Sequence, residues 1–370
     1  MGTEVWILGG AGRTGRAIAA ELLSKGLAPV LVGRDRTRLA RAAAEAGAAG
    51  GADSCETLVA ATAEEMTAEI RVRQPAVVIN TIGPFTATAV PVARACLPNG
   101  HYIDIANDAA AVSALFALHD DASAAGRTLV TGAGFGVTAT ESVVVRLCAG
   151  RPAPRRVRVD MVPSLDIEDG VIGYALAATI LEGIPGVPGG GRYQGRRYAG
   201  GRLTAAPLGG DAARLTLPDG GQVTTAGMPL GELLAAQRAS GSPDVVAASS
   251  EAPASRVFRA VMPLAGALLS LGPVRAFAIR RLAQLKLKAR ERPRAYSWGH
   301  ARLEWPDGAV ADGWLRVGEA AAYTGKVPAE TVRRLLAGEG QPGAYTPAAL
   351  FGPELAEACG GEYLTPTAGR

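Results

Sequence analysis

Residues Glu4 to Leu8 form a short apolar run that passes directly into Gly9-Gly10-Ala11-Gly12-Arg13-Thr14-Gly15, and few folds are open to a chain that begins this way. The run reads as a strand and the glycines as a Gly-x-Gly-x-x-Gly turn. Ala17, Ile18, Leu22 and Leu23 then recur at helical spacing up to Gly26, which stands where a helix C-cap belongs. Strand, glycine turn and helix in that order read as a dinucleotide site. Gly10 permits the tight turn, Gly12 lets the backbone approach a pyrophosphate, and Gly15 lets helix and strand pack closely, with Arg13 and Thr14 between them. The helix N-terminus presents unpaired amides and a partial positive charge to the phosphates.

A second strand, Ala28 to Val32, bears on which dinucleotide is taken. A site for NAD usually ends this strand in Asp or Glu, which accepts hydrogen bonds from the ribose 2′-hydroxyl. Here the strand runs into Gly33-Arg34-Asp35-Arg36. A guanidinium at Arg34 can lie against the adenine and pair with a 2′-phosphate, with Arg36 or Arg38 adding charge, so NADP(H) is expected over NAD(H). The bland alternative is a solvated turn arginine, and Asp35 is the residue that argues for NAD.

Strand and helix signals alternate over the first 135 residues. Thr37 to Ala46 reads as a helix, Glu56 to Ala60 as a strand, and Thr62-Ala63-Glu64-Glu65 as a capping box opening the next helix. Strands are predicted at Ala76 to Thr81, His101 to Ile105 and Thr128 to Thr131, and helices at Ala87 to Leu97 and Ala109 to Ala124. Near-continuous apolar strands in such alternation call for a parallel, doubly wound α/β sheet of Rossmann type. Asn80-Thr81-Ile82-Gly83-Pro84-Phe85 then falls at the carboxyl end of a central strand, where such sheets bind ligands.

Composition suits more than one domain, because 370 residues are enough to bury about three quarters of the unfolded surface. Met1-Gly2-Thr3 leads straight into the first strand without a secretory pattern, and Trp6 stands where a myristoylation motif needs Ser or Thr, so the expectation is a cytoplasmic chain. Cys55, Cys96, Cys148 and Cys359 are widely spaced and form no ligand pattern, and they read as reduced thiols with no metal site. The net charge of +4 comes from basic residues spread along the chain, which argues against a nucleic-acid partner. Arg275 to Arg294 is the exception, with eight cations against Glu291 alone. It reads as a solvated helix face, as a site for an acidic carrier protein, or as an anionic membrane contact. The apolar run before it, Ala260 to Val274, is interrupted by Pro263, Gly266, Gly272 and Pro273, too short and broken to span a membrane.

The glycine turn, Gly33-Arg34-Asp35, Asn80 to Phe85, His101-Tyr102-Ile103-Asp104 and Gly132-Ala133-Gly134-Phe135-Gly136 together resemble the saccharopine dehydrogenase-like reductases, over about residues 4 to 140 and more weakly from Gly343 through Gly361. The resemblance implies an NADP-binding Rossmann domain over residues 1–140, with C-terminal helices from about 326 to 370 packing back on it. It implies a second α+β domain over 141–325 that carries a mixed or antiparallel sheet, closes over the nicotinamide and forms a homodimer. It gives Gly10, Gly12, Gly15 and Arg34 cofactor-binding roles and sets Asn80, Gly83 and Pro84 near the ribose and nicotinamide. Relatives reduce imines made from an amine and a keto acid, or act in trans as enoyl reductases in polyketide lipid assembly. Many carry Ser-Gly-Glu shortly after the strand containing Asp104, where this chain has Ala106-Asn107-Asp108.

Beyond residue 140, Arg155 to Val162 alternates as a half-exposed strand, Gly173 to Leu181 reads as a helix, and residues 183 to 201 read as a long loop over the site or a disordered insert. Pro218-Asp219-Gly220-Gly221 and Pro306-Asp307-Gly308 are turns, the latter joining Tyr296 to Trp305 and Val310 to Val317 in an antiparallel hairpin. Hydride transfer leaves an atom that needs a proton or charge stabilisation, yet the chain has no Tyr-x-x-x-Lys pair. His101 and His119 read as structural or solvated, and His300 is open. Tyr174 and Glu141 are the candidate catalytic groups, against bland readings as a packed aromatic and a helix-dipole carboxylate. The leading expectation is an NADPH-dependent C=N reductase of a small molecule. The alternatives are an enoyl (C=C) reductase acting on a carrier-bound chain and a non-catalytic NADP(H)-sensing or scaffolding protein.

Overall fold

A computed structural model describes residues 4–50, 55–166, 170–172, 177–178, 181, 189–191, 194–253, 255–289 and 291–364. The chain forms two compact units, Met1–Ala106 with Ala111–Phe135 and Ala321–Leu350, and Asn107–Ala110 with Gly136–Ala320 and Phe351–Arg370.

The first unit strings strands and helices in alternation: β1 (Val5–Leu8), α1 (Arg13–Ser24), β2 (Pro29–Gly33), α2 (Arg36–Gly50), β3 (Glu56–Val59), α3 (Ala63–Arg73), β4 (Val77–Asn80), α4 (Phe85–Cys96), β5 (His101–Asp104), α5 (Ala109–Phe116), α6 (His119–Ala124) and β6 (Thr128–Val130). Strands β1, β2, β4 and β6 are buried along their whole length, as the apolar runs require of a sheet covered on both faces. All pair in parallel, in the order β6-β5-β4-β1-β2-β3, so the sheet reverses direction between β1 and β4. Local signals act as read. Gly26 takes φ 75° and donates to the carbonyl of Leu23 while Leu27 donates to Leu22, closing α1. The Thr62 hydroxyl accepts from the Glu65 amide and the Glu65 carboxylate from the Ala61 amide, opening α3.

Three expectations are revised. The helix predicted over Ala109 to Ala124 is two helices, because Leu118 leaves helical geometry, buries its side chain and starts α6 from its own carbonyl. A seventh strand, Gly343–Tyr345 (β17 in chain order), pairs in parallel with β6 and makes the far edge of the sheet. Three residues around a glycine carry no period that a sequence reading can detect. The segment read as a loop over 183–201 contains β9 (Gly195–Ala199), which pairs antiparallel with β10 (Arg202–Ala206). Gly200 and Gly201, at φ 56° and 78°, supply the two left-handed positions of a tight hairpin turn, so the glycine pair is a strand signal rather than a loop signal.

The second unit holds a mixed sheet. Strands β7 (Arg156–Val162), β9, β10, β11 (Ala213–Thr216), β12 (Gln222–Gly227), β13 (Asp244–Ser249), β15 (Ser297–Glu304), β16 (Val310–Val317) and β18 (Glu362–Leu364) form nine strands, in the path β10-β9-β13-β7-β15-β16-β18 with β12 linking β11 to β13. Among the described residues only β13 and β7 of this sheet run parallel, and β8 (Gly170–Val171) pairs antiparallel with β14 (Lys286–Leu287) in a separate two-stranded sheet. Val162, Leu217, Trp298 and Trp314 pack as a buried cluster on this sheet. Helix α7 (Phe135–Cys148) leads into the unit and α8 (Gly231–Ser240) precedes β13. Ala177, Ala178 and Leu181 are helical, while Tyr174 and the rest of that predicted helix lie outside the described residues. The C-terminal stretch divides, with 321–350 in the first unit and β18 pairing with β16 in the second.

Candidate functional site

The glycine turn is built by the ends of β1 and β2. The amides of Gly9 and Gly10 both donate to the carbonyl of Val32, and Gly12 donates to Gly9, which folds the turn over the first residue of the helix. The tight turn falls on Gly9, at φ 78°, rather than on Gly10 as the fingerprint suggested. Gly10 instead packs on β2, where a Cβ would stand 2.8 Å from the Leu31 Cβ. Gly15 does what the fingerprint requires, since a Cβ there would stand 2.6 Å from the Gly9 carbonyl oxygen and 2.8 Å from the Gly10 Cα. Gly12 and Arg13 are exposed, and Thr14 is half-buried beside them. Gly12 caps α1 in extended geometry with no side-chain hydrogen bond, and no acidic residue occupies the first turn.

At the end of β2, Arg34 and Asp35 are both exposed. Asp35 is occupied: its carboxylate accepts from the Arg38 amide at 3.0 Å and its carbonyl from Leu39, so it caps α2. Its presence therefore does not make an NAD site. Arg34 is left as the charged side chain that follows the strand.

The end of β4 joins that of β1 through Thr81, whose amide and hydroxyl both reach the carbonyl of Leu8, at 3.1 and 2.7 Å. Asn80, assigned near the ribose by resemblance, is fully buried, and its side chain is committed to the protein. Its amide donates to Thr88 and Tyr102 and its oxygen accepts from the Ile82 amide, so it shapes the Ile82-Gly83-Pro84 loop. Gly83 and Pro84 are half-buried, joined by a cis peptide bond.

Asp104 closes β5 and ties three loop ends together. One carboxylate oxygen accepts from the Ala106 and Gly132 amides and the Thr131 hydroxyl, at 3.0, 3.1 and 2.8 Å, and the other from the Tyr102 hydroxyl. Burial pushes its carboxyl above the usual range against these donors, which favour the charged form. The Phe135 amide donates to Thr324, fixing the end of the Gly132 to Phe135 loop. Glycine turn, Thr81 to Pro84 loop and Asp104-tied loops thus share the carboxyl edge of the sheet at its topological switch, where open α/β sheets take ligands. An α1 N-terminus without a side-chain cap, the exposed Gly12 backbone and the exposed Arg34 fit a dinucleotide with a 2′-phosphate.

In the second unit, the chemistry that no sequence signal marked is at Glu232. It lies in the first turn of α8, 1 % exposed, and burial pushes its carboxyl up to about 8, opposed by its own backbone amide and Asn107. With the Asn107 amide turned so that its nitrogen faces the carboxylate, that nitrogen lies 3.0 and 2.7 Å from the two oxygens. Gly136, the second residue of α7, leaves room for the acid, because a Cβ there would collide with Glu232 Oε1 and stand 2.5 Å from Met161 Sδ. Sequence shows Glu232 only as an ordinary first-turn acid. Asn107 was visible as the departure from Ser-Gly-Glu, without a role.

Glu141 is fully buried in the second turn of α7, so its bland reading as a first-turn carboxylate does not hold. His300 is structural: Nδ1 meets Asp160 at 2.9 Å, Nε2 meets Asp312 at 3.2 Å, and the ring stacks on Trp314. Burial favours neutral His300, but the two carboxylates outweigh it and hold the imidazole above its usual range. His101 accepts from the Thr128 amide and His119 from the Ala344 amide, both as scaffold contacts. The four cysteines are free thiols.

Saccharopine dehydrogenase NADP binding domain is the family description matched, over residues 5–130. No curated protein matches the chain significantly. The apo histidine-tagged saccharopine dehydrogenase (L-Glu forming) from Saccharomyces cerevisiae superposes with a TM-score of 0.59 at 13 % identity, over 99 % of this chain and 100 % of that one, which extends the likeness of fold to both units. A short-chain dehydrogenase from Sphingobium yanoikuyae in complex with NADPH aligns over 35 % of this chain and 71 % of its own, at 18 % identity and a TM-score of 0.29. Residues 5–130 thus match the NADP-binding domain of saccharopine dehydrogenases, and the glycine turn that the structure builds lies within that match.

Proposed function

We propose that this NADP oxidoreductase reduces a carbon–nitrogen double bond, adding hydride to carbon and a proton to nitrogen. The observation that carries the reading is Glu232, a buried carboxyl held in its acid form up to about pH 8. An imine nitrogen is basic, and its carbon accepts hydride readily once the nitrogen is protonated. An acid that keeps its proton at neutral pH can supply it. The carboxylate left behind is stabilised by the Asn107 amide, by the first turn of its own helix α8, and by the positive charge of the iminium it has made. NADPH, when bound, would supply the hydride. The amides of the glycine turn and α1 would hold its pyrophosphate, and Arg34 would pair with its 2′-phosphate. The balance of the proposed reduction would be one hydride to carbon and one proton to nitrogen, with Glu232 as the proton's source and water reprotonating it.

The test is NADPH oxidation with amine and keto-acid pairs, beside ketones and enoyl thioesters. Turnover that needs amine and keto acid together is expected, with a loss of at least about 100-fold in kcat for Glu232→Gln, the scale of general-acid catalysis, and an unchanged Kd for NADPH. Turnover confined to enoyl thioesters would move the assignment to C=C reduction. An undiminished Glu232→Gln would remove the proton donor and with it the argument for an imine.

A further inference from the structure

The second unit carries a surface that neither hydride transfer nor the NADP site uses. Helices α9 (Arg256–Leu269) and α10 (Gly272–Ala283) meet at a 107° bend. Ile279 of α10 is buried against Ala177 and Ala178, which fixes that helix to the unit by one face. The opposite side is bare. Val261, Leu264 and Leu268 stand exposed at helical spacing along α9, Leu271 at the bend, and Val274, Phe277 and Leu285 continue the row, with Leu264 at 69 % and Phe277 at 53 % exposure. Soluble surfaces scatter single apolar residues but rarely line up seven large ones.

Charge surrounds this row. Arg280, Arg281, Lys286, Lys288 and Arg292 are all exposed, and Arg281 lies over the Phe277 ring. Between Ala252 and Arg294 the sequence has ten cations and Glu291 as its only acid. Arg275 and Arg294 are turned inward by backbone carbonyls of Leu269 and Pro163, so among the described residues the outward positive charge is that of Arg280, Arg281, Lys286, Lys288 and Arg292. Neither helix approaches the ~20 residues needed to cross a bilayer, and among the described residues no single helix is long and apolar enough to do so. A bent pair with an apolar row and flanking cations is the pattern of a segment that lies in a lipid interface.

We infer that α9, α10 and the basic segment after them dock this protein on an anionic membrane surface, with the apolar row entering the headgroup and acyl boundary and the cations pairing with lipid phosphates and carboxylates. Charge decides among occupants. A second copy would set this cationic rim against its own like, whereas anionic lipid complements both the rim and the row. An acidic protein would satisfy the rim and leave seven apolar side chains unexplained. The inference is independent of the reaction proposed above.

The experiment is flotation of the full chain with vesicles of phosphatidylcholine alone and of phosphatidylcholine with phosphatidylserine, at low and high salt. Two variants are compared, Leu264→Asp with Leu268→Asp, and Arg280→Glu with Arg281→Glu, and NADPH binding serves as the folding control. Flotation with the serine lipid that weakens in salt and falls at least about tenfold in both variants is expected, since each basic residue near such a surface contributes about 1 kcal/mol. No flotation with anionic vesicles overturns the inference. So does an apolar variant that dissociates a dimer in solution while leaving flotation unchanged, which would make the face a contact between copies.

Discussion

At the residue scale, cofactor choice and acid chemistry each rest on a single side chain whose neighbours set its meaning. Asp35 is spent capping α2, and we propose that Arg34 meets the 2′-phosphate. Arg34→Ala should weaken NADPH about 10- to 100-fold, the worth of hydrogen bonds to a charged group, and leave NADH within about twofold; nicotinamide fluorescence titration reads both. Loss of both cofactors equally would mean that Arg34 does not meet the phosphate. Glu232 makes a second prediction, in stability. Its folded value near 8 lies above the ordinary 4.5, so the folded state binds more protons than the unfolded one between those values. Stability should therefore fall as pH rises from about 4.5 to 8 and level off above that. Glu232→Gln should flatten this slope and be the more stable protein at pH 8, as urea denaturation at pH 6 and pH 8.5 would show.

At the scale of elements, close approach of backbones decides what the glycine turn tolerates. Gly15 faces the Gly9 carbonyl and Gly10 Cα with no flexible side chain to move aside. Gly15→Val must push α1 away from β1, at a cost of about 3 kcal/mol for overpacking, and should abolish NADPH binding; thermal melting and cofactor titration check the two effects separately. A variant that keeps full affinity would show that the helix can retreat without losing its phosphate amides. Elements with a strong period or a capping motif were readable: β1, α1, the capping box at Thr62 and the hairpin of β15 and β16 all form close to where the chain implies. Of the elements that escaped, some were short or lay in glycine-rich segments, while α8 and β13 are of ordinary length and were not read at all. In β17 only three residues pair, and in the β9 and β10 hairpin the two glycines that make the turn also lower the apparent order of the segment.

At the scale of the whole molecule, the chain passes repeatedly between its units, so a cut at the apparent end of the Rossmann alternation does not isolate a complete one. A fragment of residues 1–140 lacks Gly343–Tyr345, which pairs with β6, and leaves that strand an open edge. It also lacks Thr324, which accepts from the Phe135 amide. The fragment should aggregate. Residues 1–135 joined by a short glycine-serine linker to 321–350 should stay soluble and bind NADPH, measured by light scattering and fluorescence titration. Soluble, cofactor-binding 1–140 would show that the edge strand is dispensable.

The sequence by itself determined the parallel sheet and its glycine turn, because period, capping and turn chemistry act over a few neighbouring residues; NADP was expected from Arg34, and a mixed or antiparallel second sheet only from the family resemblance. It marked the Arg275 to Arg294 charge without saying which side faced outward. Only the tertiary structure decided that Asn80 braces a loop, that His300 is clamped between Asp160 and Asp312, and that Glu232 is an acid kept neutral. Each of these depends on burial and on partners far along the chain, and a pKa or a buried hydrogen bond exists only once distant segments have excluded water together.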